Sequence, residues 1–215
     1  LGGFVLIWLV FFHMRLFDEV KDYDVDCKVN KERPLPRGLI SLSEIGFMTF
    51  LCFLIEITLA WNLRFAVFTT YLAVAGFTLL MRMEFFLSSW LGPKMELYAI
   101  THTFSASLMG VLTFSVLTNM PMNELPLPYI YIALSNWFVF NVFEFGRKTF
   151  SIEEERDAVE SYSNRLTPFG AVILLAVNLV IAWILLYMSL VEISILRFKG
   201  VFIPLLKTLL IYSSI

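Results

Sequence analysis

Charged residues are scarce in this chain, at 16% of 215 positions, against about 25% in an ordinary globular domain. That shortage argues against a water-soluble surface. Cysteine is scarcer still: Cys27 lies in a charged stretch and Cys52 in an apolar one, and two such residues make neither a disulfide framework nor a four-ligand metal site. Both read as free thiols. Lys and Arg are scattered instead of forming a stripe, and the formal net charge is −2, which sets nucleic-acid binding aside. Residues 1–14 lack the basic start and small-residue cleavage site of a signal peptide. The strand-like alternation of a membrane barrel is absent, as are internal repeats and low-complexity tracts.

What is present is apolar surface: 59% hydrophobic residues and a mean hydropathy of +0.78. A membrane protein follows, and the need to satisfy backbone polar groups in lipid leaves an all-α bundle. A spanning helix needs about 20 mostly apolar residues. Seven segments qualify or nearly do: 1–16, 40–61, 65–81, 97–118, 129–145, 167–190 and 200–215. The chain opens and closes inside apolar runs, so further helices are expected beyond both ends. The expectation is one polytopic transmembrane domain covering 1–215.

Seven alternating spans place loops 15–39, 82–96 and 146–166 on one side of the membrane. These hold twelve basic residues (Arg15, Lys21, Lys28, Lys31, Arg33, Arg37, Arg82, Lys94, Arg147, Lys148, Arg156 and Arg165), against Arg64, Arg197 and Lys199 opposite, with Lys207 inside the last span. The bias predicts that the three larger loops are cytoplasmic. Arg197 and Lys199 read as interfacial anchors.

Asp and Glu contribute little to topology, so the acids in "DEVKDYDVDCKVNKERPLPRG", residues 18–38, need another explanation. Asp18, Asp22 and Asp26 stand at i, i+4 and i+8, on one face of a helix running out of the first span, with Glu19 close by. Like charges at that spacing repel, and a bound cation offsets the repulsion. Oxygen-only ligands suit a hard cation such as Mg²⁺, which is commonly shared with substrate phosphates. The competing reading is a solvated helix whose acids are neutralised by Lys21 and Lys28.

The same stretch resembles the first signature of the UbiA superfamily of intramembrane prenyltransferases, an Asn-Asp-x-x-Asp-x-x-x-Asp motif followed by Arg-Pro-(Leu/Val)-Pro-x-Gly. Asp18 stands at the Asn position, Glu19 at the first Asp, and Asp22 and Asp26 at the other two. Arg33, Pro34, Leu35, Pro36 and Gly38 match the second part, continued by Ile40 and Ser41. The resemblance implies a bundle of nine helices, seven of them visible here. It also implies transfer of a prenyl group from an isoprenyl diphosphate to an acceptor, often aromatic, with Mg²⁺ between two acidic motifs.

The second motif is expected in "NVFEFGRKTFSIEEERDAVESYS", residues 141–163, which departs from the usual Asp-x-x-x-Asp form. Asn141, Glu144 and Lys148 share a helical face. Glu144 would replace the first Asp, with Glu153, Glu154 or Asp157 supplying later carboxylates. Arg147 and Lys148 would bind diphosphate directly, together with Arg82, Lys94 and Lys21. In these terms Asp18, Asp22 and Lys148 are the catalytic candidates, and Asp18, Glu19, Asp22, Asp26, Glu144 and Asp157 the metal ligands. His102 is expected to pack between helices, and Glu56, inside a span, to pair internally or face a cavity. Neither Glu56 nor Asn178 receives a catalytic role.

The sequence thus points to a multi-pass protein of a cell or inner membrane. Its expected partners are an isoprenyl diphosphate, a small lipophilic or aromatic acceptor and membrane lipid. Two rivals stay open, a divalent-cation transporter or channel and a family member that binds isoprenoid without catalysis. Against the transporter, such sites lie near the bilayer midplane, whereas these acids cluster at one edge.

Overall fold

A computed structural model describes the backbone of residues 1–155 and 160–212, with side chains for 1–155 and 160–196. Among these residues every regular element is helical. The chain divides into two compact units, Leu1–Leu125 and Pro126–Ile215, where the sequence reading takes 1–215 as one domain.

The first unit contains α1 (Gly2–Val29), α2 (Leu42–Leu63), α3 (Phe65–Arg82), α4 (Ser88–Leu91), α5 (Met95–Thr103) and α6 (Ser105–Thr118). Links are short where the bundle reverses: only Arg64 separates α2 from α3, which forces the two to run antiparallel. Ser41 starts α2 with a capping box, its hydroxyl accepting from the Glu44 amide while Glu44 accepts from the Ser41 amide. Asn119 closes α6 in the left-handed conformation (φ 57°), which its short polar side chain tolerates.

Leu6, Val10, Ala60, Val67, Tyr71, Val74, Met109 and Leu112 pack together at the centre of α1, α2, α3 and α6. The outward faces are also apolar, as Phe47, Phe50 and Trp61 of α2 show. Polar side chains are instead turned inward. Ser115 of α6 donates to the Met120 carbonyl (2.7 Å) and lies 3.1 Å from the Thr70 hydroxyl of α3, and Thr70 accepts from the Met122 amide (3.0 Å). An apolar exterior over hydrogen-bonded interior hydroxyls suits lipid as the surrounding solvent.

The second unit pairs α7 (Leu127–Gly146) with α8 (Tyr162–Tyr212). Ser135 donates to the Ala182 carbonyl (2.9 Å), Ser189 to the Pro128 carbonyl (3.1 Å) and Asn141 to Asn178 (3.1 Å). Residue numbers fall along one helix as they rise along the other, so the pair is antiparallel. Thr167 interrupts α8 (φ 65°, ψ 157°). Its hydroxyl accepts from the Gly170 amide (3.2 Å), and Pro168 restarts the helix at a position where a missing N–H is harmless.

Four helices among the described residues are long and apolar enough to cross a membrane: Leu42–Leu63, Phe65–Arg82, Met95–Thr118 and Tyr162–Leu196. The expected spans 1–16 and 129–145 are helical. However, α1 becomes charged from Arg15 onward, and α7 is diluted by Pro128, Ser135, Asn136, Asn141 and Glu144. A correction concerns 191–199, which is not a loop between two spans. Helix α8 continues through it, with no glycine or proline from 171 to 199 to break it.

Gly3 marks a close approach of α1 to α6: a Cβ there would stand 2.3 Å from Val116 Cγ1. Gly3→Ala is expected to lower unfolding stability in detergent by about 1–3 kcal/mol, read from the thermal midpoint. Adding Val116→Ala should restore most of the loss, and an additive second loss would show that the contact is not the cause.

Candidate functional site

Helix α1 leaves its apolar half at Arg15 and runs on to Val29, so the acids do stand on a helix as expected. Arg15 bonds Glu19 and lies 3.8 Å from Asp18. Asp22 is exposed and makes no side-chain hydrogen bond or ion pair among the described residues. Asp26 behaves differently. It is 3% exposed, accepting from Asn30 (2.7 Å) and Arg33 (2.6 Å).

At about 100° per residue, eight residues carry Asp26 roughly 80° around the helix from Asp18, far enough to turn it inward. The Asn30 amide, with Arg33 adding to it, holds its carboxyl below the usual carboxylate range against the opposing effect of burial. The spacing makes Asp26 a candidate metal ligand; in the structure it fastens the loop after α1.

That loop explains the "RPLPRG" pattern in local terms. Arg33 reaches back to Asp26, and Leu35 is buried. The Arg37 amide bonds the Arg33 carbonyl (3.1 Å), the Gly38 amide bonds that of Leu35 (3.0 Å) and the Leu39 amide bonds that of Pro34 (3.0 Å). Gly38 has φ 72°, a conformation that favours glycine.

On the other side of α1, Lys21 Nζ lies 3.2 Å from Glu84 Oε1 and 3.4 Å from His102 Nε2, above the Tyr98 ring at 4.4 Å. Glu84 belongs to a short 3-10 turn, Glu84–Phe86, whose three residues all have positive φ (50°, 54° and 58°). Non-glycine residues held there cost about 1–3 kcal/mol each, and contacts must hold them. Lys21 supplies one, and Phe85 supplies others against Phe77 and His102.

His102 stacks on Tyr98 (4.0 Å) and contacts the Tyr98 carbonyl through Nδ1 (2.8 Å). It thus packs within its own helix while meeting Lys21 of α1. Arg82 lies over Phe17, 4.8 Å from the ring centroid, and no carboxylate pairs with it among the described residues. Lys94 is set apart, 3.3 Å above the Trp90 ring.

In the second unit, Glu144 is ion-paired with Arg147 (2.5 Å) and Lys148 (3.3 Å) at the end of α7. Asn141, expected beside them, is buried on Asn178. Glu153 and Glu154 are exposed, and Asp157 lies outside the described residues. The carboxylates of α1 fit a hard cation in donor type. Among the described residues, however, no three His, Cys, Asp or Glu side chains converge to hold a metal.

One polar group escapes sequence reasoning. His13, Glu56, Tyr71 and Thr78 meet inside the first unit; His13 and Glu56 are both 0% exposed, with His13 Nδ1 2.8 Å from Glu56 Oε1. Glu56 pairs internally as expected, and His13 is its partner. The available signal is that an ionisable residue in an apolar run requires one. No family model, curated protein or solved structure matches the chain.

Because the Asp26 carboxyl is held below its ordinary value, its grip on the loop is fully present above the ordinary carboxylate range and is lost as pH falls through the depressed value. Protease protection of residues 30–40 should therefore hold at neutral pH and decay below about pH 4. Asp26→Ala should remove it at every pH. Equal protection of the variant at pH 7 would contradict the clamp.

Proposed function

We propose that the chain is a membrane-embedded prenyltransferase acting on an isoprenyl diphosphate. The observation that carries this reading is the ordered pair of motifs, "DEVKDYDVD" then "ERPLPRG", at the end of one apolar helix. Asp22 lies open on that helix, Lys21 stands in the same segment, and Arg82 lies over Phe17 at its start. In the reaction, the allylic C–O bond breaks and its electron pair leaves with the diphosphate. The acceptor carbon then bonds to the prenyl cation and gives up a proton.

Mg²⁺ would neutralise the charge that develops on the leaving group. Asp18, Glu19, Asp22 and Asp26 would hold it in the first unit, Asp26 also keeping the adjoining turn in place. Arg82 and Lys21 would bind diphosphate oxygens by charge-assisted hydrogen bonds, with Lys94 at the periphery. In the second unit, the resemblance assigns Glu144 and Asp157 to metal binding and Arg147 and Lys148 to diphosphate. The acidic segment would face the cytoplasm in keeping with the basic bias of the loops. The apolar bundle would protect the cation from water.

Membranes carrying the protein, given labelled isoprenyl diphosphates and a panel of aromatic acceptors, should release diphosphate only with Mg²⁺. Asp22→Asn should reduce the rate by about 10²-fold or more. Arg82→Ala should mainly raise KM for the diphosphate. An Asp22→Asn protein as active as the parent would overturn the site, and divalent-ion flux without prenyl transfer would favour a transporter.

A further inference from the structure

We propose that residues 83–94 form a lipid-docking segment. It lies in the headgroup layer of the bilayer that holds the bundle and sets Phe86, Leu87 and Trp90 into the boundary with the acyl chains. The proposal does not rest on prenyl transfer.

Two helices long and apolar enough to span, Phe65–Arg82 and Met95–Thr118, flank the segment directly, so both of its ends are fixed at one face of the membrane. Its height can be read against α1, which belongs to the same unit. That helix turns charged at Arg15. Arg82 lies over Phe17, and Glu84 meets Lys21. At about 1.5 Å per residue, these contacts fall about 3 and 9 Å beyond Arg15. Helical side chains lean toward the N-terminus, which brings the Lys21 contact lower still. The polar layer outside the hydrocarbon core is about 5–7 Å deep on each side, and the segment occupies it.

Composition fits that layer. No Asp, Glu, Lys or Arg occurs from Phe85 to Pro93, whereas α1 at the same height carries Asp18, Glu19, Lys21 and Asp22. The inner side of the segment is packed: Leu91 is buried, and Phe85 contacts Phe77 and His102. The outer side presents Met83, Phe86, Leu87 and Trp90, each more than half exposed, continuing the exposed apolar surface of α3 at Leu79 and Leu80. A patch of this kind marks an interaction site. Phe86 is the sharpest case. Its backbone is held at φ 58°, a costly conformation, while its ring stays 72% exposed to whatever surrounds the protein.

Lys94 supplies the polar half of the contact. Its Nζ stands 3.3 Å above the Trp90 ring, so cation and indole share one side of the segment. At a membrane interface the indole sits at headgroup level, and a long basic side chain runs along apolar surface to bring its ammonium to polar groups, here lipid phosphate. Apolar and aromatic side chains bordered by a cation are the pattern of an interfacial segment. The occupant of this surface is therefore the surrounding bilayer.

The test places single nitroxide labels at 86, 87 and 90 of the full chain, with Cys27→Ser and Cys52→Ala, at one copy per nanodisc of phosphatidylcholine and phosphatidylglycerol. Power saturation compares collisions with oxygen, which concentrates among acyl chains, and with a nickel chelate confined to water. The logarithm of the oxygen-to-chelate ratio should be positive at 86, 87 and 90, below the value at 50 on the exposed face of α2, and negative at 25 on the charged end of α1. Lys94→Glu should lower the value at 87, and Lys94→Arg should keep it. Negative values at 86 and 87, or a value at 87 that Lys94→Glu leaves unchanged, would overturn the proposal. Labels shielded from both probes in two-copy discs but water-exposed in single-copy discs would identify a second chain as the occupant and overturn it as well.

Discussion

A charged or ionisable side chain inside an apolar bundle must bring its own partner, and the His13–Glu56 contact meets that requirement across α1 and α2. Tyr71 and Thr78 of α3 complete it. Apolar contacts alone are poor at specifying helix rotation in lipid, because the tails are as apolar as the side chains. A buried polar contact has few geometries that satisfy it. The rest of the first unit is arranged around this one, with Val10 and Leu6 packed on the side toward Gly3 and Phe17 and Lys21 on the side toward the charged end.

From that end onward the sequence serves two purposes. Asp26, Asn30, Arg33, Leu35 and Gly38 build a turn whose pattern is explained by local contacts. Asp18, Glu19 and Asp22 have no such structural necessity: they crowd like charge on one helix, relieved at Asp18 and Glu19 by Arg15. The strained Glu84–Phe86 turn completes the neighbourhood, held by Lys21 on one side and by aromatic rings on the other. Strain retained in this way is common at binding sites, and here it lies against the same helix as the acids.

The helical architecture and the continuation of α1 past the apolar boundary were legible in the sequence, since hydropathy and i, i+4 spacing report them directly. The inward turn of Asp26 was not, because an i+8 relation drifts around the helix and a partner seven residues away decided the outcome. Nor was His13, whose role depends on Glu56, 43 positions further on. Segment 191–199 misled for another reason. Its charges suggested a membrane edge, whereas helix continuity depends on breakers, and it has none. Near Glu144, the spacing rule found the face shared with Asn141 but gave no hint that Asn178 would claim the asparagine.

If the chain is a prenyltransferase, the open acidic face of α1 binds a metal and a diphosphate together. Single cysteines placed at 17 and 25 of α1, with Cys27 and Cys52 replaced by serine, can be labelled with a membrane-impermeant maleimide. The labelling rate is then followed with Mg²⁺, with a non-hydrolysable isoprenyl thiolodiphosphate, and with both. Labelling should be fast at 25 and slow at 17, with protection at 25 only when metal and diphosphate are present together. Labelling at 25 that no combination alters would contradict joint binding on this face.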